Sequence, residues 1–240
     1  MIRHNALTIG GVSTGSYPFK VIVEDSPSIT MSESKTILIE HQGLSGAVLQ
    51  SNPNRGVMDL SYTLYLVKPS EEQLYSFLKL FLKEGFWLEN TSFKTTRWWC
   101  YKASHTPVQK DKLGVYETKV TFSCHPTKWF KTTTPQIFRT SGTLRCQGSA
   151  IAFPKITISG NSSGETSFTI GDDVIRLERL QETVVMDNNP SQPSFKTQRG
   201  QLIKWAGDFI SIDAGKRDTV GVVLGPGITS LTIETNWGWA

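Results

Sequence analysis

Cysteine is scarce in this chain. Cys100, Cys124 and Cys146 are the only three in 240 residues, too few and too irregularly spaced for the disulfide framework that holds small secreted domains together. An odd count without a secretory pattern fits folding in a reducing compartment. Long apolar runs are also missing. Nothing approaches the ~20 consecutive apolar residues of a membrane-spanning helix, and Met1 to Asn5 leads into glycines and polar residues instead of a signal-peptide core. A soluble protein without a membrane partner is expected.

Charge of one sign is likewise in short supply. The 25 Lys and Arg residues stand against 21 Asp and Glu, a net charge of +4, and they are dispersed. A nucleic-acid footprint gathers its cations on one stripe. The densest basic stretch, Lys128 to Arg145, is broken by Thr132-Thr133-Thr134-Pro135, so no specific nucleic-acid binding is expected.

What the sequence does have is two-residue periodicity. From Val57 to Val67, Met58, Leu60, Tyr62, Leu64 and Leu66 share one face, while Asp59, Ser61 and Thr63 share the other, the pattern of a half-buried antiparallel strand. Val115 to His125 alternates in the same way, with Tyr116, Thr118, Val120, Phe122 and Cys124 on one parity. Shorter strands are expected at 21–24, 36–40, 47–50, 86–89 and 97–103. Lys110 to Gly114 reads as a protruding hairpin loop.

One helix interrupts this pattern. Ser70 follows Pro69 as the N-cap, Gln73 completes a capping box, and Glu71 and Glu72 sit at the positive end of the helix dipole. Leu74, Phe77, Leu78 and Phe81 recur at helical spacing, which predicts a helix over 70–84 that Gly85 ends. A short helix is marginal alone, so its apolar stripe must be buried against the sheet.

A boundary is expected within residues 128–142, giving a first domain over 1–135 and a second over 136–240. In the second, short strands are expected at 155–159, 165–170, 174–177, 183–186, 202–204, 209–212 and 230–235. Gly and Asn turns separate them, as in a sandwich. The length suffices for two such cores. The fold class is therefore mainly β, with two β-sandwich-like domains and a single helix packed in the first.

Chemical motifs are weak. Gly10 to Gly15 lacks the spacing and terminal Lys of a phosphate loop, and no helix pattern follows it, so it reads as a turn. Cys100, His105, Cys124 and His125 carry zinc-type donors, but Cys124 and His125 fall on opposite faces of one strand, and a small buried thiol beside Phe122 is the plainer reading. The same residues give no sign of a thiol, base and orienting group. Glu165, Asp172, Asp173, Glu178, Glu182 and Asp187 sit in turns or beside Arg176 and Arg179, as solvated charge does, and not as a carboxylate pair around a cleft. No catalytic, cofactor-binding or metal-binding residue is assigned, and no cofactor is expected. Seven tryptophans remain: Trp87, Trp98, Trp99, Trp129, Trp205, Trp237 and Trp239. They suit a core or a subunit interface. Stacking of sugars on Trp205 or Trp239, in a carbohydrate-binding module or adhesin, is the alternative.

The order of these elements resembles the distal tail protein family of long, non-contractile-tailed phages and prophages. The resemblance spans nearly the whole chain. It is carried by Val57 to Val67 running into the Ser70 helix, by Phe153 to Gly160, by Leu180 to Asp187, and by Leu224-Gly225-Pro226-Gly227 leading to Ile233. In that family the last stretch is a glycine turn, an Asn and an outer strand; Ile228-Thr229-Ser230 stands here in place of the Asn-containing turn. The resemblance implies a ring-forming N-terminal domain and a galectin-like C-terminal one. It also implies a homo-hexameric hub without enzymatic activity, at the virion tail tip and in the host cytoplasm during assembly. Its implied partners are the major tail tube protein, a tail-tip or tail-associated lysin-like hub protein, tape-measure-associated components and a receptor-binding protein. Some relatives carry an inserted carbohydrate-binding module, for which 240 residues leave no room. DNA passes through such a ring, whose lumen is expected to be polar or acidic. Strand edges within residues 19–50 and the Lys110 hairpin are the expected contacts between copies.

Overall fold

The computed structural model describes residues 5–24, 31–52 and 54–240; the Met1 to His4 start and residues 25–30 of the expected edge region lie outside them. The chain divides into two compact units, Met1–Trp129 and Phe130–Ala240. The division falls at the end of the sixteen-residue strand Val115–Phe130, ahead of the threonine-rich stretch.

The first unit is built on an antiparallel sheet. Its strands run in the order Val12–Ser13, Leu7–Ile9, Phe86–Asn90, Thr96–His105, Val115–Phe130, Met58–Val67 and Lys20–Val23. Ten residues of Met58–Val67 pair in register with Val115 to Cys124. This register sets Met58, Leu60, Tyr62 and Leu64 opposite Cys124, Phe122, Val120 and Thr118, all buried. The opposite parity is polar: Ser123 Oγ donates to Asp59 Oδ1 at 2.7 Å, and Ser61 and Thr121 share a 2.9 Å hydrogen bond. A one-residue slip would exchange the two faces, so burial of one face enforces the register.

The helix is shorter than its sequence pattern. It is α-helical over Glu71–Leu78 and continues as a 3-10 turn over Lys79–Leu82. Both arms of the capping box form: Gln73 N–H donates to Ser70 Oγ at 3.2 Å and Ser70 N–H to Gln73 Oε1 at 2.9 Å. Leu74, Phe77, Leu80 and Phe81 are buried. Tightening to three residues per turn brings Leu80 inward beside Phe81, which a continued α-helix would not do. Phe81 meets Phe122 of the sheet at 6.2 Å and Phe77 at 5.5 Å, and Tyr17 meets Phe77 at 5.1 Å. Burying each such ring contributes roughly 1.5–3 kcal/mol, several times what a weak eight-residue helix can supply for itself.

The second unit contains two five-stranded antiparallel sheets. One has the order Gln136–Phe138, Ile228–Glu234, Lys155–Gly160, Val184–Asp187, Ser194–Thr197. The other has the order Gly142–Arg145, Thr219–Leu224, Thr166–Ile170, Asp173–Leu177, Trp205–Ala206. Ile156, Ile158, Met186, Leu231 and Ile233 from the first and Leu144, Phe168, Ile170, Ile175, Leu177 and Val222 from the second share one core, the arrangement of a sandwich.

The ending Leu224 to Ile233 carries the chain from one sheet to the other. Gly225 N–H donates to Ser167 O at 2.8 Å, Asn161 N–H to Gly227 O at 2.8 Å, and Thr166 Oγ1 to Pro226 O at 2.6 Å. Gly227 has a φ of 78°, a conformation glycine adopts without strain. Ile228–Glu234 is not the outer strand that the family pattern describes. It lies between Gln136–Phe138 and Lys155–Gly160, because the short 136–138 segment pairs onto its free side.

Candidate interaction surface

One element of the first unit stands apart from its core. Ile37–Glu40 and Ala47–Gln50 form a separate two-stranded antiparallel hairpin. Its stem continues below the strands through Gly56 N–H to Glu33 O at 3.0 Å, Lys35 N–H to Asn54 O at 3.2 Å, and Arg55 Nη1 to Ser32 O at 3.0 Å. At the tip, Leu44 N–H donates to His41 O at 3.0 Å, and Gly46, with a φ of 95°, turns the chain back. The β-branched Ile37, Ile39 and Val48 favour an extended backbone, and the stem hydrogen bonds set its register.

Every residue of both strands is exposed. Leu38 and Leu49 are direct cross-strand partners, as are Ile39 and Val48. Since successive side chains point to opposite faces, the leucine pair lies on one side and the isoleucine–valine pair on the other. The arm is therefore apolar on both sides. Leu44 at the tip and Met31 and Val57 at the base extend the apolar surface. An isolated two-stranded hairpin is at best marginally stable in water, and contiguous exposed apolar surface marks an interaction site. The arm has no chemistry to perform on a small molecule; what it can do is add backbone pairing and apolar contact to another surface.

A second protrusion is the turn between Gln109–Lys110 and Val115–Phe130. Asp111 Oδ1 accepts from Leu113 N–H at 2.8 Å and Val115 N–H at 2.7 Å, and Leu113 at its tip is exposed.

The residues with chemical potential do not converge. Cys100 and Cys124 meet, with their sulfurs 2.8 Å apart. His105 instead lies 5.9 Å from the Phe81 ring, with Nδ1 2.9 Å from Thr106 O. His125, on the opposite face from Cys124, lies between Trp129 and Tyr101 at 5.4 and 6.4 Å, and its Nδ1 accepts from Thr127 N–H at 3.1 Å. Burial pushes the His125 pKa down. Among the described residues, no group of three or more His, Cys, Asp or Glu has the geometry to hold a metal ion. Gly10 and Gly11, at φ 54° and 85°, form the two-residue turn between Leu7–Ile9 and Val12–Ser13, and only a three-residue 3-10 turn follows.

In the second unit the acidic residues enter surface ion pairs: Asp172 with Arg217 at 2.6 Å, Glu178 with Lys204 at 3.3 Å, and Glu182 with Arg199 at 4.0 Å. Asp173 is raised above the usual carboxylate range, first by burial and then by the charges of Asp172 and Asp208. Trp205 is wedged between Phe195 and Phe209, each 5.3 Å away, against the sandwich core. Trp239 lies 5.8 Å from Phe130 and keeps 49% of its surface exposed. Trp98 and Trp237 are core residues.

Two β units, the first carrying one helix among the described residues, make up a mainly β fold that is also found in a solved phage protein. One solved structure that shares it is that of the SPP1 Dit (gp 19.1) protein, described as a paradigm of the hub adsorption apparatus in phages that infect Gram-positive bacteria. The TM-score is 0.70, the match covers 98% of this chain and 99% of that one, and the sequence identity is 11%. The likeness is one of fold, and it is mainly β throughout. No protein-family model and no curated protein matches the sequence.

Proposed function

We propose that this protein is a phage distal tail protein, a structural hub at the virion tail tip. The observation that carries the reading is the fold shared with SPP1 Dit over 98% of this chain and 99% of that one. In this reading residues 1–135 form a hexameric ring and residues 136–240 a galectin-like sandwich. The ring joins the major tail tube protein to the tail-tip or tail-associated lysin-like hub protein, to tape-measure-associated components and to a receptor-binding protein. Its role is architectural and non-enzymatic, and it is assembled in the host cytoplasm. The apolar arm supports self-association: a ring is closed by head-to-tail contacts between two different surfaces of each copy, and the exposed hairpin Ile37–Glu40 with Ala47–Gln50 offers one such surface.

Negative-stain imaging of the purified full chain, alone and mixed with the tube protein of the same phage, tests this. Six-fold rings with a central hole are expected in at least one condition. Monomers only, in both conditions and at high concentration by light scattering, would overturn the hexameric hub.

A further inference from the structure

The buried pair Cys100 and Cys124 has no part in the hub reading, and it stands on strand geometry alone. Phe86 pairs with Cys100 and Met58 pairs with Cys124, while the strands Thr96–His105 and Val115–Phe130 are neighbours. Four buried side chains, Phe86, Cys100, Cys124 and Met58, thus form one row across the centre of the sheet. The two cysteine strands stay in contact further along, where Thr106 N–H donates to Lys119 O at 2.9 Å and Thr118 Oγ1 to Thr106 O at 3.0 Å. The sulfurs lie 2.8 Å apart, in direct contact as thiols, so a short approach is what separates them from the ~2.05 Å of a covalent S–S bond.

We infer that Cys100 and Cys124 are a latent cross-strand disulfide, a modification site that closes when the chain meets a mild peroxide or disulfide oxidant. With hydrogen peroxide, one thiolate attacks a peroxide oxygen, the O–O bond breaks, and with one proton taken up a sulfenic acid and a water result. The sulfur of the second cysteine then attacks the sulfenic sulfur, and its own proton leaves with the hydroxyl as a second water. Two thiols and one peroxide give one disulfide and two waters. The reaction is slow, since the thiol–thiol hydrogen bond and burial both push the Cys100 thiol up, and only the thiolate attacks. Its rate rises with pH. Adjacency of the partner directs the sulfenic acid to disulfide instead of further oxidation, and Cys146, half-buried against the core of the second unit, is not part of the pair.

The test uses the full chain carrying Cys146→Ser, and the unaltered chain beside it. Each is reduced, freed of reductant, exposed to hydrogen peroxide, then denatured for thiol titration and intact mass. Cys146→Ser is expected to go from two titratable thiols to none while losing the mass of two hydrogens, and a non-reducing digest joins the peptides containing Cys100 and Cys124. The unaltered chain goes from three thiols to one. Tm rises on oxidation and returns on adding reductant. Retention of both thiols, oxygen adducts in place of the hydrogen loss, or a bond between two chains would overturn the inference. Because the unaltered chain carries the same readout, the result does not depend on the variant folding.

Discussion

Leu38 and Leu49 face each other across the hairpin and remain 67% and 62% exposed. A matched leucine pair on a pleated surface is what a core strand presents, yet no described part of the first unit covers it. Replacing both by Ser removes apolar surface that the isolated chain does not bury. The thermal midpoint of the double variant is expected to match the parent, as surface changes usually shift stability within about ±0.5 kcal/mol. Sedimentation velocity is expected to show loss of self-association. A variant that melts early, or that assembles as well as the parent, argues against the arm as an interface.

Ser70→Ala removes the side-chain acceptor for Gln73 N–H, while the reciprocal bond from the residue 70 backbone N–H to Gln73 Oε1 can still form. A loss of about 1 kcal/mol is expected, visible as faster amide exchange over 73–82 before any change in the second unit.

Two glycines of the second unit make a matched pair. A Cβ at Gly160 would overlap the backbone carbonyl of Gly227, whereas at Gly221 it would meet nothing within 4 Å. Gly160→Ala is expected to cost on the order of 1–3 kcal/mol through the forced backbone shift. Gly221→Ala is expected to be neutral or stabilising by up to about 1 kcal/mol, through lower freedom of the unfolded chain. Urea titrations of the two variants decide the matter; equal midpoints would contradict the close approach at Gly160.

Acid stability of the first unit depends in part on His125. Its pKa is lowered from 6.5 by burial, so below pH 6.5 the unfolded chain takes up a proton that the folded chain resists. The stability present above that pH falls as the pH drops through the folded value, and protonation also removes the acceptor for Thr127 N–H. His125→Gln is expected to flatten the decline between pH 7 and pH 5 relative to the parent. Parallel curves for the two proteins would rule out this contribution.

The sequence made some of this fold legible and hid the rest for physical reasons. Met58–Val67, the Ser70 cap and the long Val115–Phe130 strand are local patterns, and local patterns survive in one dimension. Thr219–Leu224 escapes such a reading although it is an interior strand of its sheet, with Val220 and Val222 buried. Gly221 and the outward Val223 blur its alternation. The helix end is set by packing of Leu80 and Phe81, which no cap residue announces. Pairing of Cys100 with Cys124 depends on the register of two strands, and spacing along the chain carries no trace of it. The hairpin strands are visible at 36–40 and 47–50. However, Ile37-Leu38-Ile39 reads the same whether it will be covered by its own chain or by something else.

The polar flanks of that arm bear on how a lone copy survives. Glu33, Lys35 and Arg55 at the stem and Glu40 and His41 near the tip bracket the aliphatic stretch, and charges beside an adhesive strand slow indiscriminate pairing. They delay stickiness without abolishing it. Copies of the purified chain are thus expected to stay dispersed when dilute and to cluster through the arm as concentration and salt rise.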